Sequence, residues 1–318
     1  MSLLPALAAF AVTVMAVPLW SRLLRGGPWL DQPRSNRHNR RAVSRTGGAA
    51  WLTAVLALLF LAPVLPAGGA AGAAPGFPAA PLVLAALLPA AFAIGLLDDA
   101  GRIGPGPKWM AQTLLLAGSV CCCNGATEGG ACLAGLPLTW SAGAVFLLAL
   151  AVQTALEIHD NMDALLAISS AAFFLSLALS HPAVDGGWLR PVSLAAGGAS
   201  LGVLVFNRPP ARVFFGNSGS MAVALLAALL LAGALLPATR PGAGPVPWGL
   251  ALPLIWPLAD LAFVTVRRLL QGRPPWRGGR DHTTHGLAAW IGDRGVAATA
   301  MAIAGLGALA TYWLGWSR

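Results

Sequence analysis

Charge is scarce in this chain. Of 318 residues, 11 are acidic and 20 basic, so charged side chains make up 10%. A soluble globular domain carries about a quarter, which excludes an ordinary soluble fold. Cysteine is scarce too. Cys121, Cys122, Cys123 and Cys132 match no zinc-ligand spacing, so a cysteine-based metal centre is excluded. They read as a small-residue helix end, with a Cys123–Cys132 disulfide as the alternative if that loop faces an oxidising side. A separate soluble domain, a long linker and an internal repeat are all lacking. So is the basic, aromatic-interleaved face of a nucleic-acid binder, although the net charge is +9. No positive region precedes the first apolar run, Leu3 to Trp20, and Arg22 and Arg25 follow it. A cleaved signal peptide has the opposite order, so this run is expected to be a membrane helix.

What is present is apolar. Hydrophobic residues make up 57%, with 38 glycines and 25 prolines, and membrane helices use small residues for close packing. A run of roughly 20 apolar residues spans a bilayer. Ten such spans are expected near 3–24, 47–66, 78–97, 107–123, 139–157, 164–181, 190–206, 218–237, 247–267 and 294–316. The expected fold is all-α, one polytopic membrane domain over 1–318. The fourth span reads as partly interfacial and the last as tilted.

The loops then alternate sides, and 17 of the 20 basic residues fall on one of them. The positive-inside rule makes that side cytoplasmic and puts both termini outside. Trp20, Trp109, Trp140, Trp188, Trp248, Trp290 and Trp316 fall near span ends, as an aromatic belt requires. The acids share the asymmetry. Asp31, Asp98, Asp99, Glu157, Asp160, Asp163, Asp281 and Asp293 are cytoplasmic, with Asp260 if it lies deep in the ninth helix. Glu128 and Asp185 face out. Topology explains gathered arginines but not gathered acids.

Five segments on that side carry candidate chemistry. In "GLLDDAGRIGPGPK", Asp98 and Asp99 end a helix. Adjacent carboxylates repel, and Mg²⁺ suits hard oxygen ligands; a solvated helix end is an even competitor. In "EIHDNMDALL", Glu157, Asp160 and Asp163 recur every three residues and share a helix ridge. Three carboxylates on a membrane helix end are expensive without cations, although a polar loop is the alternative. His159 lies off that ridge and reads as interfacial. In "NRPPARVFFGNSGSM", Asn217 is a good N-cap, and Gly216 and Gly219 allow close approach of an anion to free N–H groups; taken alone, a capped helix suffices. In "RGGRDHTTHGLAAW", His282 and His285 sit among arginines, which suits phosphate better than zinc; an amphipathic interfacial loop competes. In "DQPRSNRHNRRAVSRTGGAA", His38 and the Gly47–Gly48 pair go beyond what topology needs. Carboxylates, cations and glycines on one membrane face fit phosphoryl transfer, which runs on positioning and charge neutralisation.

In this order the motifs resemble those of the polyprenyl-phosphate N-acetylhexosamine-1-phosphate transferases. "DQPRSNRHNRRAVSRTGG" is similar to the family's D-x-P opening, with Val43–Ser44 where proline is usual. "GLLDD" matches its paired aspartates, with Lys108 at the downstream lysine. "EIHDNMDALLA", "FFGNSGS" and "RDHTTHGL" resemble its later motifs. The resemblance covers Asp31 to Leu287, and its last motif is nearer the branch that uses UDP-N-acetylglucosamine.

The resemblance implies an enzyme of the bacterial inner membrane with a cytoplasmic active-site cleft. A polyprenyl (undecaprenyl) phosphate attacks a UDP-N-acetylhexosamine, UMP leaves, and a polyprenyl-diphospho-sugar initiates envelope polysaccharide synthesis. Mg²⁺, or Mn²⁺ in its place, is the implied cofactor. It also implies the residue roles. Asp98, Asp99, Asp160, Asp163 and His282 are the catalytic candidates. Asp98, Asp99, Asp163, Asn217 and Glu157 are the metal candidates. His38, Arg45, Gly47, Gly48, Lys108, Asn161, Gly216, Ser218, Gly219, Arg280 and His285 are the substrate-binding candidates. A homodimer is among the assemblies it allows.

The chain departs from the pattern at Asn217, where the family has Asp, and at Glu157, where it has Asn. An exchange of amide and carboxylate would keep the site's charge if both side chains face one cavity. Ala164 replaces a glycine and Thr284 the middle histidine. These departures leave open a relative that binds polyprenyl phosphate without transfer. A transporter ranks last, because its charges belong near the midplane.

Overall fold

In a computed structural model of the chain, the described residues are 2–32, 41–61, 79–125, 140–180, 188–236, 248–276 and 279–316. Ten helices are described: α1 (Leu4–Leu23), α2 (Gly47–Leu61), α3 (Ala79–Asp99), α4 (Pro105–Gly125), α5 (Trp140–His159), α6 (Leu165–Ser180), α7 (Leu189–Asn207), α8 (Gly216–Leu235), α9 (Ile255–Leu270) and α10 (Thr283–Trp316). A 3-10 segment, Trp248–Leu254, leads into α9. Five spans are long and apolar enough to cross a membrane: α1, α7, α8, the Trp248–Leu270 stretch and α10. The fold is an all-α polytopic membrane protein, as expected, with helix limits close to the expected spans. The tenth differs. It starts at Thr283 rather than 294 and kinks at Gly292, whose φ is +69°. The "TTHGL" segment is therefore helical and not a loop. Cys132 and the side chains of Cys121, Cys122 and Cys123 lie outside the described residues, as does His38.

α8 is the axis of the bundle. Nearly every residue from Gly216 to Leu235 is buried, because α2, α3, α4 and α5 all pack against it. Lipid offers no hydrophobic drive between helices, so small residues and close backbone approach hold them. A Cβ on Gly48 would lie 2.2 Å from the Gly219 Cα, and one on Gly95 would lie 2.2 Å from the Asn217 carbonyl oxygen. Glycines therefore seat α2 and α3 on the start of α8. On the other flank α1 and α6 pack on α7, where a Cβ on Gly198 would meet the Ala6 carbonyl at 2.0 Å.

A buried polar link crosses the middle of this bundle. The Trp51 indole of α2 donates to Ser200 Oγ of α7 at 3.1 Å, and Ser170 of α6 reaches the same hydroxyl at 3.0 Å. Outward, large apolar side chains such as Leu7, Met15, Leu114, Leu147 and Leu306 are exposed, as a lipid-facing surface needs. A short antiparallel pair, β1 (Leu30–Asp31) and β2 (Val43–Ser44), joins α1 to α2. Ser44 also bridges Val213 ahead of α8.

Candidate active site

The antiparallel helices bring the ends of α3, α5 and α7 beside the starts of α2, α6 and α8. Asp99, the last residue of α3, is the hub. Its Oδ1 accepts from the Asn217 N–H at 3.2 Å and its Oδ2 from the Ser218 N–H at 3.0 Å. Arg45 Nη1 lies 3.3 Å from the same carboxylate, and Asp31 pairs with Arg45 from β1. A helix start leaves unsatisfied N–H groups and a partial positive charge, and here a carboxylate from another helix meets both. The position before Asn217 must bend sharply. Gly216 has φ +73°, and a Cβ there would come 3.0 Å from Asp99 Oδ2.

A cavity of about 80 Å³ opens beside this hub, lined by Asp31, Arg45, Asp99, Asp160, Asn161, Met162, Asp163, Phe214, Gly216 and Asn217. One water needs roughly 10–15 Å³ on this measure, so the space admits several water-sized groups. The turn after α5 supplies three polar walls. Asp163 Oδ2 accepts from the Ala211 N–H at 2.8 Å. Asn161 Oδ1 accepts from Thr284 Oγ1 at 3.0 Å, while Asn161 Nδ2 is buried without a partner. Ala164 takes φ +70° to start α6, which explains why glycine is the usual residue there. Asn207 holds that start, accepting from the Ala164 N–H at 3.0 Å and donating to the Val213 carbonyl at 2.9 Å.

Asp98 points the other way. Lys108 Nζ of α4 lies 2.8 Å from Asp98 Oδ2 and 3.7 Å from Glu157 Oε2. Asp98 and Glu157 are thus joined by an ammonium rather than presented to the cavity. The expected grouping of Asp98, Asp99, Asp163, Asn217 and Glu157 as metal ligands splits accordingly: Asp99, Asp163 and Asn217 line the cavity, while Asp98 and Glu157 do not. The Glu157–Asn217 exchange fails for the same reason. Among the described residues no three acidic, histidine or cysteine side chains are drawn together as a metal group.

A third cluster surrounds the start of α10. His282 Nδ1 lies 2.7 Å from Asp260 Oδ2 of α9, and Asp260 Oδ1 accepts from Thr283 N at 2.7 Å and Thr283 Oγ1 at 2.6 Å. His285 stacks edge-on, its ring 5.8 Å from that of His282. Arg268 grips Asp281 with bonds of 2.9 and 2.7 Å. Those bonds hold the Asp281 carboxyl well below the usual carboxylate range, against a smaller upward push from burial. The Asn161–Thr284 bond ties this cluster to the cavity wall.

Several expected substrate contacts are taken by the fold itself. The N–H of Gly47 donates to Phe214 and that of Gly48 to Phe215. Gly48 and Gly219 form the α2–α8 contact, and the Ser218 N–H faces Asp99. An anion is therefore not received by the free α8 start that the glycines suggested. Arg280 is exposed and His285 partly buried. Asp260, Asp31, Asn207 and Arg268 were missed as parts of the site. Asp260 was the most legible of them, as an acid inside an apolar run.

The described residues thus form a multi-pass helical bundle with an acidic, oxygen-lined cavity at one set of helix ends. The model of glycosyl transferase family 4 matches residues 81–234, a segment that holds most of the cavity wall. A Streptomyces coelicolor protein that bears the provisional name of a glycosyltransferase is 32% identical over 294 residues, 90% of this chain and 65% of that protein. The decaprenyl-phosphate N-acetylglucosaminephosphotransferase of Mycobacterium leprae is 28% identical over 316 residues, 88% of this chain and 75% of that protein. A phospho-N-acetylmuramoyl-pentapeptide-transferase of Desulforudis audaxviator is 28% identical over 243 residues, 68% of this chain and 71% of that protein. The chain is thus similar to glycosyl transferase family 4 over residues 81–234, and it spans 65% of the Streptomyces coelicolor relative's own length.

Proposed function

We propose that the protein transfers N-acetylhexosamine 1-phosphate, GlcNAc 1-phosphate first among the candidates, from a UDP-sugar to polyprenyl phosphate. The products are UMP and a polyprenyl-diphospho-sugar that initiates envelope polysaccharide synthesis. The protein works in the bacterial inner membrane with this cavity on the cytoplasmic side, where 17 of 20 basic residues fall by loop alternation. The name of the Mycobacterium leprae relative, which gives decaprenyl phosphate and an N-acetylglucosamine phosphate group, supports the acceptor and the group transferred. One observation carries the reading: segments from α3, the α5–α6 turn and the start of α8 line one cavity with Asp99, Asp160, Asp163 and Asn217.

The donor set fits Mg²⁺. Every cavity candidate ligand offers oxygen, and Mg²⁺ is held by one or two carboxylates together with waters and substrate phosphates. Asp160, Asp163 and Asn217 would hold it, which needs no three-acid cage. When bound it neutralises pyrophosphate and leaving-group charge. The chain's own residues set the rest. Arg45 places a cation at the cavity wall, neutralised in part by Asp31 and Asp99. Asp99 keeps the α8 start at its present distance. Thr284 holds Asn161 Oδ1, which leaves the unpartnered Nδ2 donor to meet a substrate oxygen. Lys108 fixes Asp98 at the rim of the same membrane face.

Asn217 favours a second reading. An amide stands where the family has a carboxylate, and it lines the cavity, so a relative that binds polyprenyl phosphate without transfer is the alternative. Purified protein in nanodiscs, supplied with polyprenyl phosphate and a panel of UDP-N-acetylhexosamines, separates the two. Transferase activity predicts UMP release that needs both substrates and a divalent cation. Binding of polyprenyl phosphate with no UMP from any donor selects the alternative.

A further inference from the structure

The histidine cluster contains a residue that neither the motifs nor the cavity accounts for. Asp260 is fully buried in α9, and among the described residues its ionic partner is His282. A lone buried charge is costly, so a fixed arrangement of donors must hold it. Three groups do: the Thr283 N–H and the Thr283 hydroxyl, which donate, and the His282 Nδ1 ring nitrogen. The hydroxyl's direction is settled by its other neighbour. Trp256 Nε1, a donor only, reaches Thr283 Oγ1 at 3.1 Å. Thr283 Oγ1 therefore accepts from Trp256 and gives its own proton to Asp260 Oδ1. Oδ1 is saturated by Thr283, and Oδ2 is left for the histidine.

We infer that Asp260 is a positioning residue: it keeps a proton on His282 Nδ1 and so makes Nε2 the atom that exchanges protons with a phosphate oxygen. A carboxylate only accepts, so the ring nitrogen bonded to it must carry hydrogen. In the neutral ring Nε2 is then bare. A proton passing from a phosphate oxygen to Nε2 leaves Nδ1 protonated, and the imidazolium charge rests against Asp260. The same logic orients a catalytic imidazole in hydrolytic triads. What Nε2 meets rests on the transferase reading; the tautomer does not. Other titratable groups face this pair: His159 of α5, fully buried and stacked edge-on with Trp256 at 5.9 Å, His285 at 5.8 Å, and Asp281, which Arg268 holds.

Asp260→Asn isolates the effect. The amide oxygen keeps the Oδ1 place, because turning it over would set its NH₂ against both Thr283 donors. The NH₂ then faces Nδ1 and forces it to accept, moving the ring proton to Nε2. The full chain is labelled with ¹⁵N-histidine in nanodiscs, and His282 is assigned by His282→Gln. Neutral wild-type His282 is expected as the Nδ1–H tautomer and the Asp260→Asn protein as Nε2–H. The thermal midpoints should be similar, because the Thr283 contacts persist. UMP release should fall about 10²–10⁴-fold, the range of general acid–base effects. A wild-type Nε2–H tautomer overturns the inference even if the variant fails to fold. So does undiminished UMP release by Asp260→Asn. Absence of UMP from the wild-type protein with the Nδ1–H tautomer present would instead fault the transferase reading alone.

Discussion

Asp99→Asn separates a catalytic carboxylate from an architectural one. In the structure both Asp99 oxygens accept backbone N–H groups of α8, at 3.2 and 3.0 Å, and the side chain is 2% exposed. An amide keeps one oxygen and points an NH₂ at the other N–H. One buried donor is then unsatisfied, at about 1–3 kcal/mol. Loss of the negative charge at the helix start adds about 0.3–2 kcal/mol. The Arg45 pairing at 3.3 Å also loses its charge. The sum is about 1–5 kcal/mol, which lowers the thermal midpoint of a chain this size by roughly 2–8 °C. Thermal unfolding of both proteins in the same nanodiscs measures it. UMP release, recorded below both midpoints, should fall as well, because Gly216 and Asn217 move with the helix start. An Asp99→Asn protein as stable as wild type but inactive would refute the capping role and return Asp99 to direct chemistry.

Other consequences follow from neighbouring contacts. Gly48→Ala places a Cβ 2.2 Å from backbone at Gly219; about 1–3 kcal/mol or more is lost, seen as reduced monodisperse protein on size exclusion. Lys108→Met leaves Asp98 and Glu157 without their shared ammonium, so the midpoint drops, and adding Glu157→Gln should recover part of it. Asp281 is held low by Arg268. Its stabilising contribution is complete above about pH 4, the ordinary aspartate value, and is lost as pH falls through the depressed value. The midpoint difference between wild type and Asp281→Asn should therefore be flat above pH 5 and shrink in acid. Asn217→Asp adds a charged oxygen to the cavity, and the Mg²⁺ concentration for half-maximal UMP release should fall several-fold.

The membrane spans were legible because apolar runs and basic loops are local properties. The gathering of acids on one side was legible for the same reason. Partner choice was not. Asp98 and Asp99 are neighbours in sequence, yet one turns to Lys108 and the other caps α8, because successive helical side chains point about 100° apart. Gly48 and Gly219 look alike whether a phosphate or a helix approaches them, and only the bundle shows that helices do. Glu157 continues the Asp160–Asp163 spacing, but the helix ends at His159, so the ridge breaks before the two aspartates. Ala164 was visible as a departure from glycine; its φ of +70° supplies the reason. Asp260 was visible as an acid within an apolar run, but its histidine lies 22 residues on.

The most direct measurement is mass spectrometry of the lipid extract after incubating the protein with polyprenyl phosphate, a UDP-N-acetylhexosamine and Mg²⁺. A polyprenyl lipid heavier by one N-acetylhexosamine phosphate, absent with Asp163→Asn, is the predicted product. Polyprenyl phosphate recovered unchanged with every donor, from protein that binds it, would contradict the transferase.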